Sequence, residues 1–138
     1  MLSRFLPDEA ATIALGAELL DLLTGAPVVF LHGQLGAGKT TLVRGILRAL
    51  GHGGSVKSPT YTLLEPYDVG GRTIYHFDLY RIGDGEELDF IGIDELMDAD
   101  AIKLVEWPER GAGRLPEPDV VIRLSLEGEG RRVEVSVQ

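Results

Sequence analysis

The stretch Gly33-Gln34-Leu35-Gly36-Ala37-Gly38-Lys39-Thr40 fills the pattern G-x-x-x-x-G-K-[ST] at every fixed position, which is the pattern of a phosphate-binding loop. Glycines let the backbone fold tightly enough for successive N–H groups to point inward, making a nest for phosphate oxygens. Lys39 adds a point positive charge and Thr40 offers a hydroxyl to Mg²⁺. A helix that starts here turns the positive end of its dipole toward the same place. The expected nucleotide contacts are therefore Gly33, Gln34, Leu35, Gly36, Ala37, Gly38, Lys39, Thr40 and the adjoining Thr41.

The flanks agree with the loop. Val28-Val29-Phe30-Leu31 precedes it, while Leu42, Val43, Ile46, Leu47 and Leu50 follow at helical spacing, so the order is strand, loop, helix. The other reading, a glycine-rich turn that happens to carry Lys-Thr, leaves both flanks unexplained.

At 138 residues the chain has the length of one domain with a real core, and residues 1–138 are read as a single unit. Acidic side chains number 22 against 13 basic ones, a formal charge of -9, so the surface as a whole repels polyanions and direct nucleic-acid binding is disfavoured. There is no cysteine, which excludes disulfides, cysteine-ligated metal clusters and thiol catalysis. No stretch approaches the roughly 20 apolar residues that span a bilayer. A soluble cytoplasmic protein without a membrane segment is the expectation, and no residue pattern fixes its oligomeric state.

Taken in order, residues 2–6 read as a short edge strand closed by Pro7. Asp8 is an expected N-cap for a helix running to about residue 23, with Gly25 at its C-terminal side. Gly51 ends the helix that follows the loop. Residues 51–60 form a polar, glycine-rich connection. The runs 61–65 and 73–78 read as an antiparallel hairpin turned by Gly70-Gly71. A broken, acidic helix is expected over 84–97, as a solvated face or a partner-binding one. Residues 101–105 suit a buried parallel strand, and 120–126 with 133–137 form a second hairpin.

A phosphate loop binds; hydrolysis also needs carboxylates to hold the metal and steer water. Asp78 closes the apolar run 73–77 and Glu106 closes 101–105, and the carboxyl end of a strand is where an open α/β sheet puts its ligand groups. With Thr40 they make the expected metal set, and the division of roles between Asp78 and Glu106 stays open. Ser58-Pro59-Thr60 has the character of a switch, in which the Thr60 hydroxyl reaches the γ-phosphate or the metal; the alternative is an ordinary loop leading into a strand. Trp107 is either a core or rim residue or a face for a base or partner. Arg81 is a cis arginine or an ion-pair partner. His76, two residues before Asp78, reads as a satisfied core histidine rather than a general base.

No Asn/Thr-Lys-x-Asp run for reading guanine occurs, so ATP is the expected nucleotide. The order of Gly33 to Thr40, Ser58-Pro59-Thr60-Tyr61-Thr62-Leu63, His76-Phe77-Asp78-Leu79-Tyr80-Arg81, Glu87-Leu88 with Gly92, and Val105-Glu106-Trp107-Pro108 resembles the bacterial TsaE (YjeE) family over most of the chain. The resemblance implies an α/β, P-loop NTPase-like three-layer core with a mixed sheet, parallel at its centre and with antiparallel hairpin strands at its flanks. It implies a Mg²⁺-dependent ATPase required for threonylcarbamoyladenosine in tRNA, one that resets a TsaB–TsaD complex between turnovers and does not transfer the threonylcarbamoyl group itself. By the same resemblance Lys39 and Thr40 contact phosphate and magnesium, Thr60, Asp78, Glu106 and Trp107 have functional roles, and tRNA is contacted indirectly at most. Two alternatives remain at this point: a small-molecule kinase, with 109–114 as a very short lid, and a nucleotide-dependent assembly module that needs no hydrolysis.

Overall fold

Apolar residues on both parities make β2 (Val28–His32) and β5 (Ile102–Glu106) fit for burial on both faces, which the interior of a parallel sheet provides. They lie side by side and parallel. The computed structural model of the protein describes residues 2–59 and 62–138. The remaining strands are β1 (Leu2–Leu6), β3 (Leu64–Val69), β4 (Arg72–Asp78), β6 (Val120–Glu127) and β7 (Gly130–Val137); the helices are α1 (Glu9–Glu18), α2 (Lys39–Leu50), α3 (Glu86–Asp89) and α4 (Ile93–Asp98). One seven-stranded sheet has the order β1-β7-β6-β2-β5-β4-β3. Its centre, β6-β2-β5-β4, is parallel, and β3, β7 and β1 add by antiparallel pairing at the two edges.

The sheet divides two cores, one on each face, as the expected three layers require. Val29, Leu31, Ile74, Ile102 and Leu104 pack with Leu15 of α1 and Leu42, Val43, Ile46 and Leu47 of α2. On the opposite face Val28, Phe77 and Val105 pack with Leu88, Ile93 and Met97 of the α3–α4 segment. Strand alternation thus places His76 and Asp78 on the α2 side with Ile74, and Glu106 there with Leu104.

Helices α1 and α2 cross at bare backbone. A Cβ on Gly16 would stand 2.3 Å from the carbonyl carbon of Gly45, and one on Gly45 would stand 2.4 Å from the Ile13 carbonyl oxygen. Neither neighbour is a side chain that could turn away.

Four boundaries differ from the sequence expectation. Asp8 caps α1 as expected, accepting from the Ala11 N–H at 2.8 Å, but α1 ends at Glu18 and the chain tightens into a 3₁₀ turn, Leu20–Leu22. That turn seats Leu23 in the core, and the Arg72 guanidinium donates to the carbonyls of Leu23 and Gly25. The expected strand 61–65 lies further on as β3, with Pro66 inside it, which an edge strand tolerates because its outer N–H positions need no partner. The broken helix is two short ones, parted at Gly92 with φ 72°. The second hairpin is longer than read, pairing Glu127 with Gly130 across Gly128-Glu129. Gly70-Gly71 turns the first hairpin as expected, both at positive φ, as a type I′ turn demands.

Candidate nucleotide site

Because β2, β4 and β5 run parallel, their carboxyl ends converge where the glycine loop joins α2. The register pairs Asp78 with Glu106 directly, and α2 begins at Lys39 with Gly38 before it at φ 102°. A left-handed turn there directs the first N–H groups of α2 toward the strand ends. Gly33 is needed for space, since a Cβ would come within 2.8 Å of the Leu124 carbonyl oxygen.

The side chains of Lys39, Asp78 and Glu106 are all buried. The Thr40 hydroxyl donates to Glu106 Oε2 at 2.9 Å. Asp78 accepts from the Ser58 hydroxyl at 3.1 Å and from the Tyr80 N–H at 3.0 Å, so the loop of the expected switch is fastened to the strand-end acid. The Lys39 ammonium donates to the carbonyls of Gly33 and Gln34 and stands 3.9 Å from the centroid of the Trp107 ring, a cation–π contact. Burial pushes the Lys39 ammonium below the ordinary lysine range, against the pull of the carboxylates of Glu106, Asp78 and Glu109.

Trp107 reaches this position through an uncommon backbone: its φ is 57°, and among the described residues only Leu63 shares a positive φ without being glycine. Such conformations cost about 1–3 kcal/mol and collect at functional sites. The Leu63 carbonyl accepts from the Asp78 N–H, so both strained residues adjoin the acids. Tyr80 lies against Trp107 with ring centroids 5.0 Å apart, and the Arg110 guanidinium covers both rings at 5.5 and 5.9 Å.

These groups line a cleft of about 350 Å³ that also takes in Leu35, Gly36, Ala37, Thr41, Ser58, Thr12 and Arg131. Volumes of this order hold a small ligand. Of the residues expected from sequence, Leu35 through Thr41 with Asp78, Glu106 and Trp107 line it, while Gly33 and Gln34 meet it through the carbonyls that hold Lys39. Thr60 lies outside the described residues. Arg81 is exposed and is not among the lining residues. Of the segment 109–114 expected as a very short lid, the first three residues lie in a 3₁₀ turn, Pro108–Gly111, pinned by buried Pro108 and Gly111.

Three side chains at the site were not anticipated in these roles. His76, expected to be a satisfied core histidine, is buried with Nε2 2.6 Å from Glu106 Oε2, but its Nδ1 has no hydrogen-bond partner among the described residues. Arg131 reaches from β7 to the Gly36 carbonyl at 2.9 Å, and Arg110 covers the aromatic pair. The contacts of His76 and Arg131, and the Tyr80–Trp107 pair that Arg110 covers, depend on strand order.

The donors fit the groups that the loop pattern implies. Thr40, Asp78 and Glu106 offer only oxygen, the ligand type Mg²⁺ takes, and Mg²⁺ completes its shell with water and phosphate instead of a protein cage. Among the described residues no group of three or more acids and histidines forms such a cage.

Sheet order, glycine loop and strand-end acids together define a P-loop NTPase-like α/β protein. The comparisons narrow this class. The family model described as "Threonylcarbamoyl adenosine biosynthesis protein TsaE" matches residues 6–133, and the chain belongs to the TsaE family. The protein named "tRNA threonylcarbamoyladenosine biosynthesis protein TsaE" from Haemophilus influenzae is 46% identical, over 99% of this chain and 90% of its own. Its namesake from Treponema pallidum is 41% identical over 84% of each. The crystal structure of Bacillus subtilis YdiB superposes with a TM-score of 0.81 at 28% identity, covering 99% of this chain and 86% of that one.

Proposed function

We propose that this chain binds ATP with Mg²⁺ in the cleft, hydrolyses it, and uses that cycle in the formation of threonylcarbamoyladenosine in tRNA by acting on a TsaB–TsaD complex. The observation that carries the reading is the 2.9 Å bond from Thr40, in the first turn of α2, to Glu106 at the end of β5, with Asp78 in register beside it. Hydrogen bonds from Thr40, Ser58 and the Tyr80 N–H hold the two acids side by side at the phosphate loop, and carboxylate oxygens so placed are the hard ligands a divalent cation takes.

In the cycle, phosphate oxygens replace the carbonyls of Gly33 and Gln34 as acceptors for the Lys39 ammonium, and the desolvated charge gains a stronger partner. Thr40, Asp78 and Glu106 would hold Mg²⁺, which when bound neutralises charge developing on the phosphates. Asp78 and Glu106 also steer water, and the indole of Trp107 covers the ammonium from solvent. The pinned 3₁₀ turn at Pro108–Gly111 favours hydrolysis over the kinase alternative, which needs a mobile lid over an acceptor. The absence of a guanine-reading motif favours ATP. Relatives named for threonylcarbamoyladenosine biosynthesis support the pathway, and the family resemblance supports TsaB–TsaD as partner and a cytoplasmic setting.

Calorimetric titration with a slowly hydrolysed ATP analogue and Mg²⁺ tests the site. Saturable binding is expected, weakened about tenfold or more in Lys39→Ala by loss of a charge-assisted phosphate contact. Equal affinity in the variant would remove the loop from the account.

A further inference from the structure

One buried polar group beside the cleft has no part in that cycle. His76 is 0% exposed, on β4, between β5 and the edge strand β3. Its Nε2 lies 2.6 Å from Glu106 Oε2, the same oxygen that accepts from Thr40. A carboxylate only accepts, so Nε2 carries the proton in this bond. Nδ1 is buried without a hydrogen-bond partner among the described residues. An apolar ring or a leucine would fill the same space and leave no nitrogen unmatched. The bond to Glu106 is what an imidazole supplies here and they do not.

The sheet register makes this bond available. His76 pairs with Leu104 and Asp78 with Glu106, so His76 and Glu106 are diagonal neighbours on one face of β4 and β5, within reach of a long side chain. Glutamate has three rotatable bonds and loses considerable freedom when its carboxylate is fixed. With His76 on one side and Thr40 on the other, the carboxylate is held between the sheet and the first turn of α2.

We propose that His76 is a positioning residue whose Nε2–H holds the Glu106 carboxylate against Thr40, so that the oxygen donors of the cleft are assembled before nucleotide enters. This rests on the nucleotide reading above. His76 touches neither ATP nor metal; it acts through Glu106, as partners behind metal ligands do.

The test compares His76→Phe, which keeps a ring and removes the donor, with His76→Gln, whose amide N–H reaches a similar place. In His76→Phe, kcat for ATP hydrolysis falls about 10- to 100-fold, and Mg²⁺ binding to the ADP-loaded protein weakens about tenfold. ADP affinity without metal and the melting temperature stay near wild type. Trp107, the only tryptophan, reports the Mg²⁺ titration by fluorescence. His76→Gln recovers most of both losses. Wild-type kcat and Mg²⁺ affinity in His76→Phe, or equal deficits in the two variants, overturn the proposal.

Nitrogen NMR of the wild-type imidazoles, three in all, gives an answer even if His76→Phe does not fold. His76 is expected as the Nε2–H tautomer with a downfield proton signal that moves in Glu106→Gln; an Nδ1–H tautomer overturns the proposal. A wild type that binds no nucleotide defeats the ATPase reading instead, and the NMR result still decides whether His76 holds Glu106.

Discussion

Lys103 is a lysine in the sheet interior, 2% exposed, and it marks the difference between a charge kept for chemistry and one kept for structure. Its ammonium donates to the carbonyls of Ala26 and Ala99, each at 2.9 Å, tying the start of β5 to the loop before β2. Burial lowers its pKa, against the carboxylates of Asp119, Asp100 and Asp98. The folded chain therefore holds this proton less well than the unfolded one. The burden on stability is full at neutral pH and is relieved as pH climbs through the lowered folded value toward the ordinary 10.5. Urea unfolding of wild type and Lys103→Met at about pH 8 and about pH 10 is expected to show wild type gaining on the variant at the higher pH. A constant difference between them would contradict that assignment. Lys39, Thr40, Asp78 and Glu106 were legible in the sequence because a fixed spacing and two strand ends announce them. His76 was legible only as a core residue: it meets Glu106 from 30 positions away, and that meeting requires knowing that β4 and β5 are neighbours. Arg131, 95 positions from Gly36, was hidden for the same reason.

Among the elements, the α1–α2 crossing sets where the phosphate loop stands, because α2 carries Lys39 and Thr40 in its first turn. Gly45→Ala places a Cβ 2.4 Å from the Ile13 carbonyl oxygen, and only a shift of one helix relieves it. A loss of about 1–3 kcal/mol is expected, read as a lower urea midpoint. A midpoint equal to wild type would mean the helices are not in close contact there. The elements were largely legible from apolar periodicity, with caps at Asp8 and Gly51 where the sequence put them. The misread boundaries share a physical origin. The end of α1 is decided by seating Leu23 in the core and by Arg72 from a distant strand, and the extent of β3 by its place at the sheet edge, which makes Pro66 harmless. Local propensity carries neither fact.

For the molecule as a whole, the charge is unevenly placed. Residues 84–100 hold eight carboxylates and no basic side chain, and in their midst Phe90 is 90% exposed. Such a surface repels tRNA and would draw a basic protein partner, in keeping with a proposed role exercised through TsaB–TsaD. Sites of this class are often slow until a partner orders a loop or supplies an arginine, effects worth about 10³- to 10⁵-fold elsewhere. The central claim is that hydrolysis in the cleft is coupled to that partner. Phosphate release from ATP and Mg²⁺, measured for the chain alone and then with the TsaB–TsaD pair, tests it most directly. Slow release alone, rising about tenfold or more with the pair and abolished in Lys39→Ala, is the expected result; a rate indifferent to the pair, or stimulation that survives Lys39→Ala, would contradict it.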